Sequence, residues 1–371
     1  MPRLILVGGG HAQLSVLRAL ATEQLNVEAV LVTPSVYQIY SGMLPGWIAG
    51  HYTAEECRID LRPLAQAANV RLVLGSVIGI DAKRRIVELA EGSKLYYDTL
   101  SIDVGSETDT SWLQAADVRL LPIKPLSEFI ERWPDIVTSA SQRTDYHLAI
   151  VGGGAAGVEL AFAARYAFTS KDIQAEVALV ASENGLLPGH AESVKKRTDN
   201  LLQYHGIRLH KAQAVGIAEG LQLATGERLQ ADCIIATTGA RPAAWLENSG
   251  LARDEQGYLL VDAQQRSVSH ANVFAAGDVC VREDIRLPRS GVHAVFAGPI
   301  LANNLLSNLT GNALQRYRPR KKSLYLLATG AQYAIASWGR FSAQGHWVWR
   351  WKNWIDQRFM RKNRIERKES V

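Results

Sequence analysis

The residues best placed to do chemistry in this chain are glycines. Gly8, Gly9 and Gly10 follow the apolar run Leu4 to Val7 and empty into "HAQLSVLRALATE", which reads as a helix. A glycine turn between strand and helix lets the backbone approach a pyrophosphate and aims helix amides at it. The third glycine of the G-x-G-x-x-G spacing is replaced by Gln13, and the acid expected at the end of the next strand is replaced by Thr33. The pattern returns complete in "HLAIVGGGAAGVELAFAARYA", where Gly152, Gly154 and Gly157 are all in place and the next strand, "AEVALVAS", follows at the right distance. Two such units make an internal repeat, and predict two dinucleotide-binding units in one chain.

Two later segments also end strands in glycine. "ADCIIATTGARP" closes on Gly239 and "HANVFAAGDVC" on Gly277 and Asp278. A glycine-aspartate pair ahead of a helix such as "GVHAVFAGPILANNLLSNL" sets a carboxylate where it can accept a ribityl hydroxyl; taken alone, Asp278 reads equally as an N-cap or turn residue. Cys57, Cys233 and Cys280 are too far apart for a C-x-x-C pair or zinc spacing, which excludes a local redox disulfide and leaves no metal site expected. Cys280, two residues past Asp278, reads as a small buried apolar residue, with a sulfur nucleophile as the rival reading.

"LILVGGGHAQL", "VGGGAAGVELA", "IIATTGARP" and "NVFAAGDVC" occur in an order and spacing that resembles the pyridine nucleotide-disulfide oxidoreductase superfamily, flavoproteins with two dinucleotide-binding domains. Within it, "YSGMLPGWIAG", the missing disulfide and "WRWKNWIDQRFM" are most similar to the branch of type II NADH:quinone oxidoreductases and to the FAD-dependent relatives associated with selenide, water dikinase. The resemblance implies FAD on Gly8, Gly10 and the amides of His11 and Ala12, with Thr33 and Pro34 at its adenosine end. Tyr40 and Ser41 fall in a loop past the isoalloxazine, Gly105 and Ser106 at a strand-end turn, Gly277 and Asp278 on the ribityl chain, and Val292 beside the flavin ring. NADH or NADPH is implied on Gly152, Gly154, Ala155, Gly157, Glu159 and Gly239, with Glu183 as the acid nearest the ribose and NADH favoured through it. Gln13 is expected to loosen the packing of its helix on the sheet.

In such a protein the cofactors carry the hydride chemistry. With no disulfide to receive the electrons, the implied acceptor is external, a quinone or another small molecule. The glutamines of type II enzymes have no counterpart in "RSGVHAVFAGP", and His293 stands there as the candidate proton donor. The alternatives are a sulfide- or selenide-oxidising flavoprotein using Cys280, or a flavin-based redox sensor with little turnover.

The elements that must position these residues are alternating strands and helices. The expected fold is α/β, with two Rossmann-like domains: an FAD domain over 1–122 and 253–325, and an NAD(P)H domain over 123–252 inserted between joints at "LLPIKPLSEF" and "LENSGLARDEQGY". Residues 326–371 form a C-terminal piece. Within it "SLYLLATGAQYAIASWG" reads as a hairpin turning at Thr329 and Gly330 and leading into an amphipathic helix.

Composition bounds the rest. A chain of 371 residues, 47% hydrophobic, has the make-up of a folded protein of two or three domains. The absence of a long apolar run and of a leader-like start gives the expectation of a cytoplasmic protein. The net charge of +5 sits between Gln344 and Val371, where eight Lys or Arg face three acids. Trp347, Trp351, Trp354, Ile355 and Phe359 share one helical face, with Arg350, Lys352, Arg358, Arg361 and Arg364 largely off it. That pattern suits peripheral attachment to the inner face of a membrane, or a helix whose aromatic face packs on the FAD domain or on the mate in a homodimer. Nucleic acid is not an expected partner, because no binding module accompanies the basic residues.

Overall fold

The structure, a computed structural model, describes residues 1–23, 25–287, 291–320 and 322–365. Arg367 and Lys368 of the basic tail therefore lie outside the described residues. The first apolar run forms β1 (Arg3–Val7), buried after its first residue, and the glycine turn delivers it into α1 (His11–Thr22). β2 (Glu28–Thr33), β3 (Val70–Leu74) and β4 (Thr99–Ile102) follow. The second glycine unit brings β5 (Leu120–Pro122), β6 (Tyr146–Val151), α2 (Ala155–Thr169), β7 (Ala175–Ala181), β8 (Arg208–Lys211) and β9 (Cys233–Ala236). The chain then returns to the first unit as β10 (Val273–Ala275) and α3 (Gly291–Thr310).

Two five-stranded parallel sheets result, in the order β10-β4-β1-β2-β3 and β5-β9-β6-β7-β8. Parallel strands covered on both faces need apolar residues at every position, which is how "LILV" and "LAIV" read. Alternate residues of β1 go to opposite faces. Leu4 and Leu6 pack with Leu14 and Leu17 of α1 and Leu301 and Leu305 of α3, while Ile5 and Val7 join Val30, Val32, Leu246 and Val279 behind the sheet. α1 and α3 cross closely because Gly298 has no side chain; a β-carbon there would stand 3.1 Å from the Ala12 Cα. β5 pairs with β9, Leu120 opposite Ile234.

The C-terminal piece is larger than the expected hairpin. β11 (Leu324–Ala328) and β12 (Ala334–Trp338) pair antiparallel around a turn held by Thr329 and Tyr333, and β13 (Phe341–Gly345) adds a third strand. "FSAQG" offers little of the apolar alternation by which a strand is recognised. The sheet covers α2, whose residues from Val158 to Ala164 are buried apart from Glu159, in keeping with a helix that is apolar nearly all round.

α4 (His346–Asn363) is helical as its spacing predicts. Val348, Lys352, Asp356 and Met360, four residues apart, point into the protein, whereas Trp347, Trp351 and Trp354 are 51%, 39% and 51% exposed. Of the expected aromatic face, the three tryptophans are thus not packed on the FAD unit, whereas Phe359 is. No helix among the described residues is long and apolar enough to cross a membrane.

Candidate functional site

The two glycine turns are built alike. In the first, Gly8 donates its N–H to Val32 and Asp103 donates to Val7; in the second, Gly152 donates to Val180 and Thr237 to Val151, all at 2.8 Å. Gly8 and Gly152 lie in the left-handed region, at φ +89° and +133°. A β-carbon on Gly8 or Gly152 would collide with the strand-end residue opposite, Asp103 or Thr237. Both turns therefore bring bare backbone to the end of a parallel sheet, beside the switch in strand order where such sheets receive ligands.

Beneath that shared frame the two sites differ. Asp103 is buried, and its Oδ2 accepts the N–H groups of Ala12 (2.7 Å) and Gln13 (3.1 Å) at the start of α1. Burial pushes its carboxyl up to about 7, against the pull of those two amides and with the help of Asp278. Gln13 does not loosen the packing as expected: it is fully buried, and its side-chain amide donates to the carbonyl (3.2 Å) and hydroxyl (3.0 Å) of Ser101. A polar anchor replaces the glycine contact. In the second turn the glycine is kept because a β-carbon on Gly157 would run into the carbonyl of Gly152, while Gly154 has open space beside it.

Around the first turn the structure gathers most of the residues that the resemblance implied for FAD. Gly277, at φ +79°, has room for no side chain, since a β-carbon would stand 2.6 Å from Asp103 Oδ1. Asp278 accepts from Lys124 Nζ at 2.9 Å, and the same ammonium donates to Ser106 Oγ at 2.9 Å, so Ser106 and Asp278 are joined by a lysine that the sequence reading passed over. Gly105 turns at φ +72° just ahead. The loop of Tyr40 and Ser41 meets the start of α3, where a β-carbon on Gly291 would lie 3.6 Å from Ser41 Oγ, with Val292 and His293 next along. Thr33 is less suited to a ribose: it is buried, and its hydroxyl donates to the Ser35 carbonyl at 3.1 Å, leaving Pro34 exposed beside it. A cavity of about 930 Å³ opens beside Asp278, Cys280 and His293.

The histidines near this site are neutral at neutral pH. Burial draws His11 down to about 4, with Asp278 opposing and Lys124 assisting, and burial lowers His293 as well. Burial, with Asp103 and Asp278 nearby, raises the Cys280 thiol far above its ordinary value and keeps it protonated.

In the second turn Ala155 opens α2, and Leu187 donates its N–H to the Gly153 carbonyl at 2.7 Å, folding the loop after β7 over the glycines. Glu183 and Gly239 are exposed at the strand ends. Glu159 is directed elsewhere: its Oε1 accepts the Ala328 N–H of β11 at 2.8 Å. Burial pushes it up to about 7, while Lys352 of α4 pulls the other way.

α4 thereby reaches the first turn. Lys352 Nζ donates to Asp356 Oδ2 at 2.7 Å and to the Gly42 carbonyl, Tyr40 Oη donates to Asp356 Oδ1 at 3.1 Å, and Tyr52 Oη donates to Asn353 Oδ1 at 2.7 Å. The Tyr40 ring stacks on Phe359 at 4.4 Å between centroids, and His11 touches both rings. The expected flavin loop is held by the tail helix, a connection that the helical spacing of the tryptophans does not reveal.

Comparison with known proteins identifies the family. The chain is 27% identical over 279 residues to human ferroptosis suppressor protein 1, covering 69% of this chain and 68% of that protein. It is 24% identical over 289 residues to the NADH dehydrogenase-like protein YutJ of Bacillus subtilis, covering 75% and 76%. Among solved structures, NDH2 from Plasmodium falciparum in complex with NADH superposes with a TM-score of 0.83 at 15% identity, over 100% of this chain and 98% of that one. The sulfide:quinone oxidoreductase of Aquifex aeolicus gives 0.81 at 16% identity, over 98% and 92%. The profile described as pyridine nucleotide-disulphide oxidoreductase matches residues 2–298. The chain belongs to that family, and is an oxidoreductase whose cofactors are FAD and NAD(P)H.

Proposed function

We propose that this protein is an NAD(P)H dehydrogenase that delivers two electrons from FAD to a quinone at a membrane surface, without a redox-active disulfide. The observation that carries this reading is the contact between the tail helix and the first turn. α4 fixes Tyr40 with Asp356 and Phe359 on its inner side and leaves three tryptophans bare on its outer side. FAD belongs to the first turn, which is fitted for it by the bare glycines at positions 8 and 10 and by Asp278 at the strand end. NAD(P)H belongs to the second, where Gly154 stands open and Glu183 is the acid nearest the strand end, favouring NADH. The two cofactors, when bound, supply hydride transfer and two-electron storage; the chain orients them and handles protons.

Reducing a quinone to a quinol consumes a proton from the protein or solvent in addition to the hydride. Glu159, at about 7, is better matched to that transfer near neutral pH than His293, whose value burial lowers. The protonated Cys280 thiol does not favour the sulfur-oxidising reading. Likeness to a sulfide:quinone oxidoreductase supports an acceptor of the quinone kind, and likeness to NADH dehydrogenase-like proteins supports NADH as the donor.

The test is anaerobic. Adding NADH to the flavin-loaded protein is expected to bleach the flavin band faster than NADPH does, and a short-chain quinone is then expected to restore it. A band that neither nucleotide bleaches sinks the dehydrogenase reading. Bleaching without recovery on quinone sinks only the acceptor.

A further inference from the structure

We propose that Asp103 is a flavin-binding residue that gains a proton as FAD is bound. The inference rests on the first turn being the FAD site, and goes beyond it by naming the group whose charge sets how tightly FAD is held.

The internal repeat supplies the comparison. Asp103 and Thr237 occupy the same place, one residue past β4 and past β9, each donating its amide to the last residue of the neighbouring strand. Thr237 is uncharged and turns its hydroxyl to the Val151 carbonyl at 3.0 Å. Asp103 instead accepts the amides of Ala12 and Gln13, the very groups that a helix start would offer to a phosphate. The backbone frame is the same in both turns, so the fold does not require an acid there. A helix N-terminus carries about half a positive charge, and an ionised carboxylate and a pyrophosphate compete for it. A neutral carboxyl removes the conflict: one oxygen stays an acceptor for the two amides, and the other gains a proton that it can donate.

Among the described residues no cation pairs with the carboxylate. From the strand-end turn after β10 it faces Asp278 and Cys280, and from α1 the amides of Ala12 and Gln13, while Asp278 in turn acts on His11 and His293. The nearby ammonium, Lys124, is paired with Asp278 at 2.9 Å. Its ordinary carboxylate value is already raised to about 7 by burial, so the approach of a doubly charged pyrophosphate needs to add little. His11, drawn down to about 4, and the strongly raised Cys280 do not titrate in the same range.

The experiment is a titration of flavin-free protein with FAD between pH 6 and 9, followed by flavin fluorescence. The proton taken up is counted by calorimetry in two buffers of different ionisation enthalpy. Binding that takes up one proton weakens about tenfold per pH unit above the free carboxyl's value and is flat below it. The wild type is expected to show that slope and a proton uptake approaching one in the alkaline range. Asp103→Asn, which keeps an acceptor for the amides and cannot ionise, and Asp103→Thr, the residue of the second turn, are each expected to bind FAD with a flat profile. A flat wild-type profile, or a slope that survives in Asp103→Asn, overturns the proposal; the wild-type proton count decides it even where a variant does not fold. Failure to bind FAD at every pH overturns the assignment of the first turn, and the proposal with it.

Discussion

Lys352 and Asp356 are two charges on the inner side of α4, with side chains only 12% and 5% exposed. Burial alone would discharge the lysine, but Asp356 and Glu159 more than offset it and keep it protonated. Such a pair is costly to half-remove. Lys352→Met leaves Asp356 buried with, among the described residues, only the Tyr40 hydroxyl as partner, and is expected to destabilise the protein by about 3–5 kcal/mol. Replacing both, Lys352→Met with Asp356→Leu, is expected to cost much less, and urea unfolding of the two variants measures the difference. At this scale the sequence was a partial guide. The glycines and Asp278 are legible because a turn and a strand end demand particular residue types at fixed spacing. Asp103 stands in "SIDVGSET", yet its partners are 90 and 91 residues away, and local spacing carries no record of which amides a strand end will face. Lys124 is hidden for the same reason.

Among the elements, α4 shows what periodicity can and cannot decide. The spacing of its tryptophans predicts a helix with an aromatic face, and both are present. Which face turns inward depended on the buried pair four residues apart, which reads in sequence as ordinary surface charge. Trp347 and Trp351 stack on each other at 6.5 Å, and Arg358 lies over Trp354 at 5.3 Å, so the outer face is an aromatic band edged with cations. Indoles favour the membrane interface, and each basic residue near anionic lipid contributes roughly 1 kcal/mol. Replacing Trp347, Trp351 and Trp354 together by Ser is expected to abolish sedimentation with anionic vesicles while leaving the unfolding midpoint nearly unchanged, since these side chains are largely exposed. Raised salt is expected to weaken the wild type's binding but not to eliminate it. Sedimentation equal to the wild type's would remove the tryptophans from the membrane reading, and a change from dimer to monomer in the same variant would assign the face to a second copy.

Across the whole molecule, Glu159 marks the point where the second unit, the C-terminal sheet and the tail helix converge. It projects from α2, accepts from β11 and senses Lys352 and Asp356 on α4. In the proposed role as proton source its protonated form is the active one, and that form is lost as pH rises through about 7. Turnover with a soluble quinone is therefore expected to fall across that range, while Glu159→Gln is expected to give a flat profile about a hundredfold lower. A variant that keeps the wild type's alkaline fall would move the proton to another group. The pattern of two parallel sheets with a returning strand was readable because the glycine unit is repeated along the chain. The convergence at Glu159 was not, because it is made by side chains from three separate stretches. The same convergence bears on the order in which the protein is made. The first dinucleotide turn, β10 and α3 all precede α4, which clasps Tyr40, along the chain, and so are synthesised before it. With FAD at the first turn, as proposed, this chain order permits FAD to load before the tail closes over Tyr40.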